Sequence, residues 1–239
     1  MLKVKNISKK YKNADKYSNH NISLEVHKGE IFGLLGKNGA GKSTFIKSVI
    51  GVLPIDEGSI EIGGYDMSKN PIEAKQNLGY VPDNHAVYDS LTGREYVNII
   101  ANIYGVKKQD IEVRMEELSK RFSIYHALDN QIRSYSHGMK QKICIVGSLI
   151  HYPKLWILDE PLIGLDPQAM HEVKEFMKEY AKLGNAIIFS SHAIDTVEKL
   201  CDRVAIINHG ELLETFKVNE FKDTHEESMD DYFLRITKD

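Results

Sequence analysis

The chain has 239 residues, 42% of them hydrophobic and 27% charged, with a formal net charge of −3. That composition is ordinary for a folded globular protein and gives room for one large α/β domain, or a core with a small insertion. The negative balance speaks against a dedicated nucleic-acid binder, which carries a basic surplus. The charge is uneven: residues 1–50 hold ten Lys and three Asp or Glu, and residues 211–239 hold nine Asp or Glu and four Lys or Arg. The basic part favours a polyanionic ligand or is simply a solvated face. Cys144 and Cys201 lie far apart with no CxxC and read as buried small residues in a reducing compartment. No apolar stretch of signal-peptide length opens the sequence. The run Ile143 to Ile150 is too short to span a bilayer and is interrupted by Gly147-Ser148. The expectation is a soluble, cytoplasmic chain whose membrane role goes through a partner.

In chain order, residues 2–7 alternate like a strand, and Tyr11 follows in a Lys- and Asn-rich loop. Residues 21–26 alternate again, and His27 to Glu30 form a turn. Residues 31–35 are continuously apolar, the pattern of a strand buried on both faces. Then comes Gly36-Lys37-Asn38-Gly39-Ala40-Gly41-Lys42-Ser43, a glycine, four residues and Gly-Lys-Ser, followed by a helical stretch from Thr44 that Gly51 stops. Without a Cβ, Gly36, Gly39 and Gly41 let the backbone take positive φ and approach a ligand closely. The loop N–H groups and the following helix N-terminus suit phosphate oxygens. Lys42 can reach the β- and γ-phosphates, and the Ser43 hydroxyl can ligate Mg²⁺. The stretch says nucleoside triphosphate, without saying what for. Residues 59–62 form another alternating strand. Three such strands predict an antiparallel sheet with one wet face.

Residues 85–150 change to helical periodicity. Thr92 and Glu95 have the spacing of a capping box, opening a helix that Gly105 stops. Ile111, Met115, Leu118 and Phe122 mark a second helix; Met139, Ile143, Val146 and Ile150, after Ser136, mark a third. Buried strands return at 155–158, 186–190 and 203–207, with a helix at 168–183 between the first two. Asn208-His209-Gly210 turns the last strand back. Strand and helix alternate with short connections, which predicts a wound, mostly parallel sheet, with ligands at the strands' C-terminal ends. Asp159-Glu160 ends one such strand. An anionic pair there is costly unless it serves a cation or a reaction. The division it offers is Asp159 on Mg²⁺ through water and Glu160 as general base. The competing reading is a helix N-cap and its neighbour.

The order of Gly36–Ser43, then Tyr135-Ser136-His137-Gly138-Met139-Lys140-Gln141, then Leu155–Glu160, then Gly164-Leu165-Asp166, then His192 resembles the nucleotide-binding subunit of an ATP-binding cassette (ABC) transporter. The resemblance covers residues 1 to about 215. It implies a P-loop NTPase core with a mostly parallel sheet, an N-terminal antiparallel part and an inserted α-helical subdomain. The segments expected are 1–84 and 152–222 for the ATP-binding core, 85–151 for the helical subdomain with the signature, and 223–239 for a short helical tail. It further implies an ATPase that closes head to tail on ATP with a second cassette and drives transport through separate membrane subunits, with no nucleic-acid partner. Such a chain sits peripherally on the inner face of the cell membrane.

Residue by residue, the resemblance implies ATP contacts from Gly36 to Thr44, with Lys42 also catalytic. Tyr11 would stack on adenine, against the alternative of a solvated loop tyrosine. Ser136, His137, Gly138 and Met139 would face the γ-phosphate bound by the second copy. Asp166 would bridge the two copies. His192 would contact the γ-phosphate and support the attacking water, although a lone His after a strand is often a plain surface residue. Ser43, Asp159 and Asp83 form the implied metal set. The family's usual signature is Leu-Ser-Gly-Gly-Gln; Tyr135, His137 and Met139 depart from it, as in variants found among exporters. His137 is bulkier than glycine and implies a looser contact. Asp83 stands where the family has glutamine, and Val81-Pro82-Asp83-Asn84 is equally a good turn. Ser228 to Leu234 resembles the short helical ending of the ABC-2-type export group. The rival functions are a soluble ABC ATPase of translation or DNA repair, against which a single compact cassette speaks, and a module that holds ATP with little turnover.

Overall fold

Alternating side chains near the N-terminus build an antiparallel pair, β1 (Leu2–Lys9) and β2 (Asn19–Val26). Leu2, Val4, Ile7, Ile22 and Val26 are buried, while Lys3, Lys5 and Glu25 face water. In this computed structural model the described residues are 1–12, 14–84 and 87–238, without the Lys222 side chain. β3 (Ile31–Leu35) is buried at every position and runs into α1 (Lys42–Val49). β4 (Glu57–Ile62) pairs with β1, and the short β5 (Tyr65–Asp66) completes a four-stranded sheet in the order β2-β1-β4-β5. α2 (Pro71–Gln76) and β6 (Leu78–Val81) follow; α2 opens on Pro71, whose fixed φ suits a first helical turn.

The helical stretch holds α3 (Gly93–Ile103), α4 (Lys108–Arg121) and α5 (His137–Leu149). The capping box expected at α3 is formed: Thr92 Oγ1 accepts from the Glu95 N–H, and Glu95 accepts from the Thr92 N–H. Ile111, Met115, Leu118 and Phe122 are all buried, as their spacing requires. The expected start of this subdomain at residue 85 lies outside the described residues.

β7 (Leu155–Asp159), α6 (Pro167–Lys182), β8 (Ala186–Ser191), α7 (Ile194–Leu200), β9 (Arg203–Asn208) and β10 (Glu211–Lys217) return to strand–helix alternation. The second sheet has the order β10-β9-β3-β8-β7-β6 and is parallel except for the edge strand β10. Its central strands therefore end on one edge, where the loops after β3, β6, β7 and β8 converge. One core lies between the two sheets and includes Phe32, Phe45 and Ile46; the other joins the parallel sheet to α3–α7. α8 (Phe221–Thr224) and α9 (Met229–Ile236) close the chain. α9 packs near α7, and the Thr237 carbonyl accepts from Lys37 Nζ at 2.7 Å, so the tail reaches the loop after β3.

Candidate nucleotide-binding and catalytic site

The loop after β3 folds as its glycines dictate. Gly41 caps α1 in the left-handed region at φ 109°, and a Cβ there would lie 2.5 Å from the Ser18 carbonyl oxygen. Only glycine meets both demands. Gly36 has no positive φ; its reason is close approach, since a Cβ would run into the Ile207 carbonyl. The loop borders a cavity of about 440 Å³ lined by Lys37, Asn38, Gly39, Gly41, Lys42, Ser43 and Thr44, with Asp83 and Glu160. Gly36 and Ala40 are buried and do not line it.

Lys42 is almost fully buried. Its ammonium donates to the Gly36 carbonyl at 2.6 Å and the Lys37 carbonyl at 3.3 Å, and lies 3.8 Å from Glu160 Oε1. Burial pulls its pKa down, and the neighbouring Glu160 and Asp159 carboxylates oppose that pull. The result is a cation held at the floor of a phosphate-shaped loop.

Asp159 ends β7 and Glu160 follows it directly, as their place after an apolar run requires. Asp159 is fully buried. The Ser190 hydroxyl, on neighbouring β8, donates to Asp159 Oδ1 at 2.6 Å and accepts from the Glu160 N–H at 3.0 Å. Asp159 Oδ2 is buried without a hydrogen-bond partner among the described residues. An orphaned carboxylate oxygen is costly, and it is the atom a hard cation or its water would satisfy. Glu160 stands in the left-handed region at φ 50°, a strained conformation for a residue with a side chain. Its carboxylate is set between Lys42 and His192, whose Nδ1 lies 3.1 Å from Oε1. His192 is half-exposed and meets the cavity only through Glu160. The helix-cap alternative for Asp159-Glu160 is answered by Asp166, whose Oδ1 accepts from the Ala169 N–H at 2.8 Å and caps α6. Asp166 is otherwise exposed.

The signature residues stand apart from this cavity. Ser136 caps α5 by accepting from the Met139 N–H at 3.3 Å, and none of Ser136, His137, Gly138 and Met139 lines the cavity of its own chain. His137 stands beside Gly164 of its own chain. Its exposed ring packs over Gly164, which sits at φ 78° and where a Cβ would overlap that ring.

Tyr11 does not line the cavity; Tyr17 does, with Ala14, Lys16 and Ser18. The Ala14 N–H bonds back to the Tyr11 carbonyl and the Ser18 N–H to the Lys9 carbonyl. This folds the loop so that its later residues meet the phosphate loop. Tyr17 carried a sequence signal, being a second aromatic in the same polar loop. Ser190 carried none, because its partners are distant in sequence; Gln141 ends the signature segment, but its bond to Pro161 carried no local signal.

The ABC transporter family pattern matches residues 19–163, more than half of the 239. The chain is 39% identical over 213 residues to the linearmycin resistance ATP-binding protein LnrL of Bacillus subtilis (strain 168), covering 89% of this chain and 68% of that one. It is 36% identical over 223 residues to the bacitracin transport ATP-binding protein BcrA of Bacillus licheniformis, covering 93% and 71%. A solved structure described as the ATP-binding subunit of an ABC transporter superposes with a TM-score of 0.93 at 32% identity, over 100% of both chains. With the phosphate loop and the Asp159-Glu160 pair on one sheet edge, this chain belongs to the ABC transporter family, as an ATP-binding and ATP-hydrolysing subunit.

Proposed function

We propose that this subunit binds Mg-ATP in the cavity at the phosphate loop, closes head to tail with a second cassette, and drives export through separate membrane subunits. The observation that carries the hydrolytic reading is the Glu160 carboxylate held between Lys42 and His192, at 3.8 and 3.1 Å. Glu160 takes the proton of the attacking water, His192 orients that water and the γ-phosphate, and Lys42 offsets charge on the phosphoryl oxygens. The Ser43 hydroxyl and the unpartnered Asp159 oxygen fit a divalent cation, and Asp83 borders the same cavity. The cation supplies charge neutralisation at the phosphates. Tyr17, in place of Tyr11, offers its ring to the adenine. Ser136 to Met139 contribute the α5 N-terminus to the nucleotide of the second copy, and the free oxygen of Asp166 bridges the two.

Among the described residues no helix is long and apolar enough to cross a membrane, so the translocation path is assigned to other chains. Tyr88, Ile99 and Ile103 are exposed, and Ile99 and Ile103 share one face of α3. That apolar face is the docking surface we assign to the membrane subunit. On this reading the chain sits peripherally at the inner membrane face, with residues 85–151 as the coupling subdomain, 1–84 and 152–222 as the core, and 223–239 as the tail. Linearmycin resistance and bacitracin transport, in the names of two relatives, support export.

Steady-state turnover of Mg-ATP tests this. Lys42→Ala should abolish hydrolysis and weaken ATP binding, while Glu160→Gln should bind ATP and lose about 100-fold or more in kcat. Wild-type turnover in either variant overturns the reading.

A further inference from the structure

We propose that Gln141 is a positioning residue for hydrolysis, tying the partner-facing end of α5 to the turn that carries Glu160. The inference rests on the assignment of Glu160 as the base and deepens it. Gln141 is buried, 2% exposed, and its amide N–H donates to the Pro161 carbonyl at 2.9 Å. Pro161 directly follows Glu160, and its ring fixes φ, so holding the Pro161 carbonyl orients the peptide that leads out of Glu160. Glu160 needs such support because its φ of 50° is unfavourable for any residue with a Cβ. The Ser190 hydroxyl braces the N–H side of Glu160; Gln141 braces the carbonyl side of the next residue.

The amide is not explained by packing. Gln141 Oε1 is buried with no hydrogen-bond partner among the described residues. A buried orphan acceptor carries a desolvation cost that an apolar side chain of the same length would avoid. The gain that offsets it is the bond to Pro161. Gln141 lies one turn beyond the Ser136 cap, and the first turn of α5 also packs on Gly164 and Leu165 of the same loop. A second copy engaging that first turn therefore acts on a helix bonded directly to the catalytic turn.

The test is a double-mutant cycle in the full chain, with Gln141→Met, which keeps length and removes the donor, in wild-type and Glu160→Gln backgrounds. ATP affinity, kcat and KM are measured for each form. Gln141→Met is expected to leave ATP affinity within about twofold and lower kcat about tenfold, the scale of one lost buried hydrogen bond. In the Glu160→Gln background the further loss should shrink to less than about twofold, because Gln141 acts through Glu160. An unchanged kcat, a parallel fall in affinity and kcat, or an equal loss in both backgrounds overturns the proposal. If Gln141→Met does not fold, Gln141→Glu at pH 8 keeps the volume and replaces the donor with an acceptor; full kcat there overturns it equally. Wild-type turnover by Glu160→Gln alone is a separate outcome, overturning the base assignment and this inference with it.

Discussion

At position 164 the backbone is left-handed and the His137 ring occupies the space a Cβ would need. Two separate effects therefore oppose any larger residue: the conformation itself and the overlap with the ring. Gly164→Ala should destabilise the chain by about 2–3 kcal/mol, and by only about 1 kcal/mol when His137→Gly removes the ring. Urea unfolding of the four forms gives the coupling, and equal penalties in both backgrounds would remove His137 from the account. The phosphate loop and the Asp159-Glu160 pair were legible in the sequence because their chemistry is local: a fixed spacing, or an anion ending an apolar run. The role of Ser190 was not, since a buried serine at a strand end looks like any other until β8 is set beside β7. The place of Tyr17 beside the phosphate loop was not legible, because sequence alone does not show how a polar loop folds back.

Among the elements, the joint between the helical insertion and the parallel sheet is made by the end of α3, the end of α5 and the start of β6. His151 stacks on Tyr104 with centroids 3.6 Å apart, and its Nε2–H donates to the Leu78 carbonyl at 3.0 Å. Burial lowers its pKa from 6.5 to about 4, the Leu78 bond opposing this only in part. The folded state therefore binds this proton less readily than the unfolded one. The stability contribution is intact above pH 6.5 and is lost as the pH falls from 6.5 towards about 4. By pH 4.5 the loss should be on the order of 2 kcal/mol. Denaturant titrations at pH 7 and pH 4.5 should show His151→Gln, which keeps a donor but does not titrate, losing about that much less than wild type. Equal losses would place the acid sensitivity elsewhere. The helices around this joint were predictable from their apolar stripes and the Thr92 cap. The joint was not, because a histidine after a helix carries no periodic signal.

Taken as a whole, the molecule carries the phosphate-loop cavity and the α5 N-terminus at separate places. The cavity at the phosphate loop is lined by Lys42, Asp83 and Glu160, with His192 against Glu160, while Ser136 and Gly138 at the α5 N-terminus do not line it. In the proposed head-to-tail pair, a second cassette brings the two together. The architecture was readable from strand–helix alternation and the order of motifs. The bond between Lys37 and Thr237, which ties the acidic tail to the phosphate loop, was not, because it joins positions at opposite ends of the chain. The most direct test of the shared site is sedimentation of Glu160→Gln with and without Mg-ATP. The variant should be a monomer without nucleotide and a dimer with it, since binding is retained and the bridging nucleotide is not consumed. A protein that binds ATP yet stays monomeric at every concentration would contradict the account.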